Sequence, residues 1–228
     1  MPGLRPLWPL LLLVLLSFEG LDGSGKSTQI RMLAGLLRTY GRPVRVVREP
    51  GGTALSERVR ALLLDPALHI EPTAELLLFS AARAQLVAAE IRPALAAGDI
   101  VLADRFFDST TAYQGGGRGV AGVDWLRAFH PFVTGGLAPR RTYLLDVPAE
   151  VAAARRNARA GAADRMEASG EAFFARVREA YLALAEEEPV RFRVLDGTLA
   201  PDALHDQIVE DLRKLGGLAL RTFPPLRR

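Results

Sequence analysis

LLLLVLLSFEGLDGSGKST, residues 10–28, supports two incompatible readings. Arg5 followed by the aliphatic run Leu10–Leu16 has the basic start and apolar core of an export signal. The small-residue cleavage pattern is missing, because Ser17-Phe18-Glu19-Gly20 comes next instead. A membrane span needs about 20 mostly apolar residues, and Arg5, Pro6 and Pro9 interrupt the stretch too early. A parallel strand buried on both faces, by contrast, reads as an unbroken aliphatic run that ends at a glycine turn. Residues 10–18 therefore read as a core strand.

The glycine turn after the strand has a chemical purpose. Gly20-Leu21-Asp22-Gly23-Ser24-Gly25-Lys26-Ser27 matches G-x-x-x-x-G-K-[ST] at every position, and Thr28 continues into a helix. Glycines let consecutive N–H groups turn toward phosphate oxygens. Lys26 supplies a compact positive charge for the β- and γ-phosphates, and the Ser27 hydroxyl can ligate Mg²⁺. The helix N-terminus adds its dipole to the same anion. Residues Gly20 to Thr28 thus predict a nucleoside triphosphate site. The chain's only other lysine is Lys214, the remaining basic residues being arginine, so Lys26 stands where a point charge suits better than a planar fork.

Outward from the loop, strands are expected at 44–49, 99–107, 141–147 and 191–196. Residues 51–64 read as a glycine loop followed by a helix, and helices are expected at 73–97 with a kink at Pro93, and at 149–158, 170–187 and 201–214. Alternating strands and helices predict an α/β, three-layer P-loop NTPase fold, with a five-stranded parallel sheet covered on both faces. Ligands of such sheets gather at the carboxyl ends of the strands, where Arg48-Glu49, Asp104-Arg105 and Asp146 fall.

Composition narrows the chemistry. The 228 residues are 49% hydrophobic and 24% charged, ordinary for a globular protein. There is no cysteine, which excludes disulfides and thiolate metal sites. His69, His130 and His205 lie too far apart to form a ligand motif. The net charge of +3 is carried by arginines gathered around 155–165 and in the C-terminal RTFPPLRR, a pattern that predicts no nucleic-acid partner.

EGLDGSGKST (19–28), REPGGT (48–53), LLLFSAARAQL (76–86), DRFFDSTTAYQGGGRG (104–119) and DRME (164–167) resemble, in order and spacing, the bacterial thymidylate kinases. The resemblance runs from about Phe18 to about Leu212. It implies transfer of the ATP γ-phosphate to dTMP, assisted by Mg²⁺, in a cytoplasmic homodimer without a membrane partner. Asp22 is implied to contact the acceptor and Arg105 to hold its phosphate. Arg48 is implied as a further acceptor-side group, and Asp104 joins Ser27 at the metal. Phe79 is implied to stack on thymine and Arg83 to hydrogen-bond it, with Tyr113 and Gln114 near sugar and base. Taken alone, Phe79 suits a core position and Arg83 a solvated helix face. Their spacing of four nonetheless puts both on one side of a helix.

The loop carries Gly23 where some family members carry a transfer arginine, so a basic lid over about 155–168 is implied instead. Arg155, Arg156, Arg159 and Arg165 supply it, with Arg165 expected on the transferring group and Arg155 and Arg159 next. The kinase domain is expected to span 1–214, followed by a tail at 215–228, and adenine is expected near Asp196 and Gly197. The alternatives are a kinase for another nucleoside monophosphate or for a deoxynucleoside. A GTP-dependent switch is disfavoured, since the only asparagine, Asn157, begins no N-K-x-D segment.

Overall fold

The computed structural model describes residues 14–158 and 164–215. The first part of the aliphatic run, Arg159, and the tail beyond Leu215 lie outside the described residues. Leu15–Glu19 forms strand β1 and is wholly buried. It pairs in parallel with β3 (Ile100–Asp104) on one side and β4 (Arg141–Asp146) on the other, while β2 (Val44–Arg48) and β5 (Phe192–Asp196) form the edges. The sheet order is β2-β3-β1-β4-β5, all strands parallel.

The unbroken aliphatic character of β1 comes from its two covered faces. Leu16 and Phe18 join Ile30, Leu33 and Leu37 of α1 (Lys26–Thr39) and Leu204, Ile208 and Leu212 of α9 (Pro201–Lys214). Leu15 points the other way, against Leu86, Ile91 and Leu95. Each such side chain contributes about 1.5–3 kcal/mol of burial. Among the described residues, no helix is long and apolar enough to cross a membrane.

The remaining helices are α2 (Ala54–Leu64), α3 (Pro72–Leu86), α4 (Arg92–Ala97), α5 (Phe107–Thr110), α6 (Val123–Thr134), α7 (Ala149–Asn157) and α8 (Glu171–Glu187). The long helix expected over 73–97 is interrupted ahead of Pro93, by a π turn at Val87–Ile91 that links α3 to α4. A proline ring crowds the carbonyl four residues back and offers it no N–H; that residue, Ala89, lies inside the π turn, which absorbs the misfit.

Two further differences bear on the site. The strand expected over 99–107 stops at Asp104, because Arg105 adopts a left-handed backbone with φ 73°. The chain then turns helical through α5 and a π-helical segment, Thr111–Gly117. Three successive glycines at 115–117 conceal that segment from helix propensity. Packing explains them: a Cβ on Gly116 would lie 2.4 Å from Ala180 Cβ, and one on Gly117 2.5 Å from the Phe173 ring, both on α8.

Candidate active site

The carboxyl ends of β1, β3 and β4 converge on the glycine loop. Gly20 has φ 126°, and a Cβ there would stand 2.4 Å from the Leu145 carbonyl at the end of β4. Only glycine lets the loop leave β1 along that path. Gly25, also left-handed, caps α1, so the first free N–H groups of the helix open onto the loop.

Lys26 is 5% exposed and folds back over the loop, its Nζ donating to the carbonyls of Gly20 at 3.0 Å and Leu21 at 2.9 Å. Burial, reinforced by the nearby Arg105 charge, lowers its pKa to about 8 although Asp22, Asp104 and Glu19 pull the other way. Ser27 Oγ donates to Asp104 Oδ2 at 2.7 Å, joining loop to β3. Among the described residues no three His, Cys, Asp or Glu side chains gather to cage a metal. A hydroxyl beside a carboxylate suits Mg²⁺, which takes hard oxygen donors and leaves its other positions to phosphate and water.

Two cavities adjoin at this edge. The first, about 260 Å³, is lined by Gly23, Gly25, Lys26, Ser27, Thr28 and Arg48 among others. The second, about 210 Å³, is lined by Phe79, Arg83, Ser109, Thr110, Tyr113 and Gln114 among others. Asp22, Glu49, Arg60 and Arg105 line both. Their junction is therefore a cluster of two carboxylates and two guanidinium groups.

Arg105 is the centre of that junction. Its Nη2 donates to Asp22 Oδ1 at 2.8 Å and to the Tyr113 hydroxyl at 3.0 Å; its Nη1 donates to Ser109 Oγ and to the Tyr181 hydroxyl. Burial alone would raise the Asp22 carboxyl, but Arg105, Lys26 and Arg156 together hold it well below the usual carboxylate range. Behind Arg105 sits Glu19, fully buried, which accepts from Phe106 N, Ser109 Oγ and Tyr181 OH and so fixes the unusual turn after β3. Burial, and then the charge of Asp108, push the Glu19 carboxyl upward.

At the far end of the second cavity, Phe79 is half-buried and Arg83 is 2% exposed. Arg83 is tied to Glu49 at 2.7 Å, Thr110 at 2.9 Å and the Phe106 carbonyl at 3.2 Å. Burial raises the Glu49 carboxyl to about 7 against the opposing charge of Arg83. Arg48 lies on the loop side, not the base side, and is engaged by Glu57 at 2.9 Å.

A loop built for phosphates opens onto a second cavity with an aromatic, an amide and guanidinium groups. The family model described as thymidylate kinase matches residues 18–208. The chain belongs to the thymidylate kinase family. It is 47% identical over 209 residues to a thymidylate kinase of Chlorobium chlorochromatii, covering 87% of this chain and 94% of that protein. To the Deinococcus radiodurans thymidylate kinase it is 49% identical over 193 residues, 85% of this chain and 93% of the other. The crystal structure of thymidylate kinase from Ehrlichia chaffeensis superposes with a TM-score of 0.71 at 34% identity, covering 88% of this chain and 98% of that one.

Within this thymidylate kinase fold the arginines expected as a lid part company. Arg155 Nη1 donates to the carbonyls of Gly197 at 2.9 Å and Gly23 at 3.3 Å, and Arg156 Nη1 to that of Asp22 at 3.2 Å. Both therefore lie against the loop. Arg165 does not: it donates to the Leu63 carbonyl and pairs with buried Glu75 at 2.6 Å. Sequence reading also missed Arg60, whose Nη1 donates to the Pro50 carbonyl. The signal was present, since Arg60 shares a helical face with buried Ser56 and Leu63, an odd position for a cation unless something anionic arrives.

Proposed function

We propose that this protein transfers the γ-phosphoryl group of ATP to dTMP, giving dTDP and ADP. The observation that carries the reading is the junction itself: a phosphate-loop cavity and a base-sized cavity share Asp22, Glu49, Arg60 and Arg105. In phosphoryl transfer an oxygen of the acceptor phosphate bonds to the γ-phosphorus while the bond to the β-phosphate oxygen breaks. The protein's part is alignment and charge neutralisation. Loop amides from Gly20 to Thr28 and Lys26 bind the donor. Arg105, with Arg60 beside it, takes the acceptor phosphate, and Asp22 keeps Arg105 aimed. Phe79 stacks on thymine, Arg83 and Gln114 read its edge, and Tyr113 packs against the deoxyribose. Ser27 and Asp104 would hold Mg²⁺, which supplies charge neutralisation between the β- and γ-phosphates when bound.

The segment 155–168 is read as the lid. Arg155 and Arg156, already on the loop, are better situated than Arg165 to meet the transferring group, while Arg159 lies outside the described residues. Arg155 also borders Gly197, which supports adenine binding there. Work on ATP and a nucleoside monophosphate fits a cytoplasmic enzyme.

The test is to incubate the protein with Mg-ATP and, separately, dTMP, dUMP, dCMP or thymidine, and to measure ADP. Preference for dTMP is expected; preference for dUMP, dCMP or thymidine would refute the assignment.

A homodimer completes the reading. Trp125, Phe129 and Phe132 of α6 stack in series, with Phe132 84% and Trp125 52% exposed. Leu77 is exposed on α3, which packs beside α6. Contiguous exposed rings of this kind mark a protein interface. Phe132→Glu is expected to shift the protein from dimer to monomer in sedimentation velocity. An unchanged sedimentation coefficient would remove α6 from the interface.

A further inference from the structure

Glu75 lies one turn before Phe79 on α3 and is wholly buried. A buried carboxylate needs donors and cations around it, and these arrive from distant parts of the chain. Arg165 reaches Oε2 at 2.6 Å, Arg118 Nε lies 3.3 Å from Oε1, and Gln114 Nε2 donates to Oε1 at 2.9 Å.

The last contact has a chemical consequence. An ionised carboxylate only accepts, so the Gln114 amide must turn its nitrogen toward Glu75. Gln114 also lines the base-side cavity, and with the NH₂ end of its amide turned to Glu75, the opposite end, its carbonyl oxygen, is the one turned away from Glu75 and offered to a ligand. That oxygen accepts. Thymine and uracil carry an N–H at ring position 3, whereas cytosine carries there a bare nitrogen that also accepts. Against a fixed acceptor the first two gain a hydrogen bond, and the third sets lone pair against lone pair. Arg83, a donor only, cannot make that distinction at position 3.

We propose that Glu75 is a positioning residue for base selection, locking the Gln114 amide so that the cavity takes 5′-monophosphates of thymine and uracil and rejects that of cytosine. The proposal rests on reading this cavity as the dTMP site. Arg118 and Arg165 serve it by balancing the carboxylate charge, which gives Arg165 a role away from the transferring phosphoryl group.

Glu75→Gln keeps the shape but can donate as well as accept, so Gln114 becomes free to flip. The ratio of kcat/KM for dTMP to that for dCMP is expected to fall about tenfold or more, with KM for ATP unchanged. Gln114→Glu combined with Glu75→Gln exchanges the two groups, retains a carboxylate for the arginines and again offers the base an acceptor, so the ratio is expected to recover. A folded Glu75→Gln variant with the parent's ratio overturns the proposal, as does a folded double variant that fails to regain it. Should Glu75→Gln not fold, the double variant is compared with Gln114→Glu alone, and equal ratios overturn the proposal. A parent protein inactive on dTMP would instead sink the underlying reading, so the two failures are distinguishable.

Discussion

Arg105→Met is expected to lower kcat/KM for dTMP by about a thousandfold, the scale of losing a preorganised cation at a transferring phosphoryl group. The geometry explains why so much rests on one side chain. Arg105 is held by four side chains, those of Asp22, Tyr113, Ser109 and Tyr181, and is only 13% exposed. On the proposed reading its guanidinium would meet the acceptor phosphate without reorganising, and the left-handed turn that aims it is secured by Glu19. Arg105→Lys keeps the charge but loses the fork that makes two parallel bonds to phosphate, so it should restore only part of the activity. ATP affinity, read with a fluorescent nucleotide, should change little in either variant, because donor contacts come from the loop. Steady-state ADP release alongside circular dichroism separates the effect from misfolding. A folded Arg105→Met enzyme within tenfold of the parent would overturn the acceptor-phosphate assignment.

Features that act over short sequence distances are legible from the amino acids alone. The loop Gly20–Thr28 is contiguous, and its chemistry is written in glycines and one lysine. Phe79 and Arg83 share a helix face by spacing alone. The central strand announces itself because both of its faces are covered. The hidden features depend on distant partners. Glu75 meets Gln114 and Arg165 only after the chain has folded back twice, and nothing local marks it as more than another helix glutamate. Arg165 stands out in the sequence by local charge density, yet a buried carboxylate captures it. The helical course of 107–117 is obscured by Gly115 to Gly117, where close packing on α6 (Gly115) and α8 (Gly116 and Gly117) outweighs intrinsic propensity. The loop is a local structure, whereas the second cavity is assembled from six segments.

Lys26→Met should show the opposite signs in activity and stability that distinguish a functional charge from a structural one. At pH 7 the variant is expected to lose about 10²–10⁴-fold in kcat, since the β- and γ-phosphates lose their mobile cation. Stability should move the other way. Lys26 is buried, and its pKa falls from 10.5 to about 8, burial being the larger cause and Arg105 the next. Between those values the unfolded chain binds more protons than the folded one, so the parent gains stability as pH rises from about 8 to 10.5. Below about 8 the full penalty of a buried charge is present. Methionine removes that penalty but leaves the carbonyls of Gly20 and Leu21 without their donor, for a net gain of about 1–2 kcal/mol at pH 7. The gap should narrow as pH approaches 10.5. Nucleotide binding supplies a second readout, because a triphosphate beside Lys26 favours its protonated form. ATP affinity of the parent should hold steady up to about pH 7 and then weaken above about pH 8, where binding has to take up a proton, whereas the variant's affinity should lose that slope. Urea melts and nucleotide titrations across pH 6–10 measure both. If Lys26→Met is less stable than the parent at pH 7 and its ATP affinity retains the same pH slope, the lysine is a structural clasp for the loop and the donor-binding role falls with it.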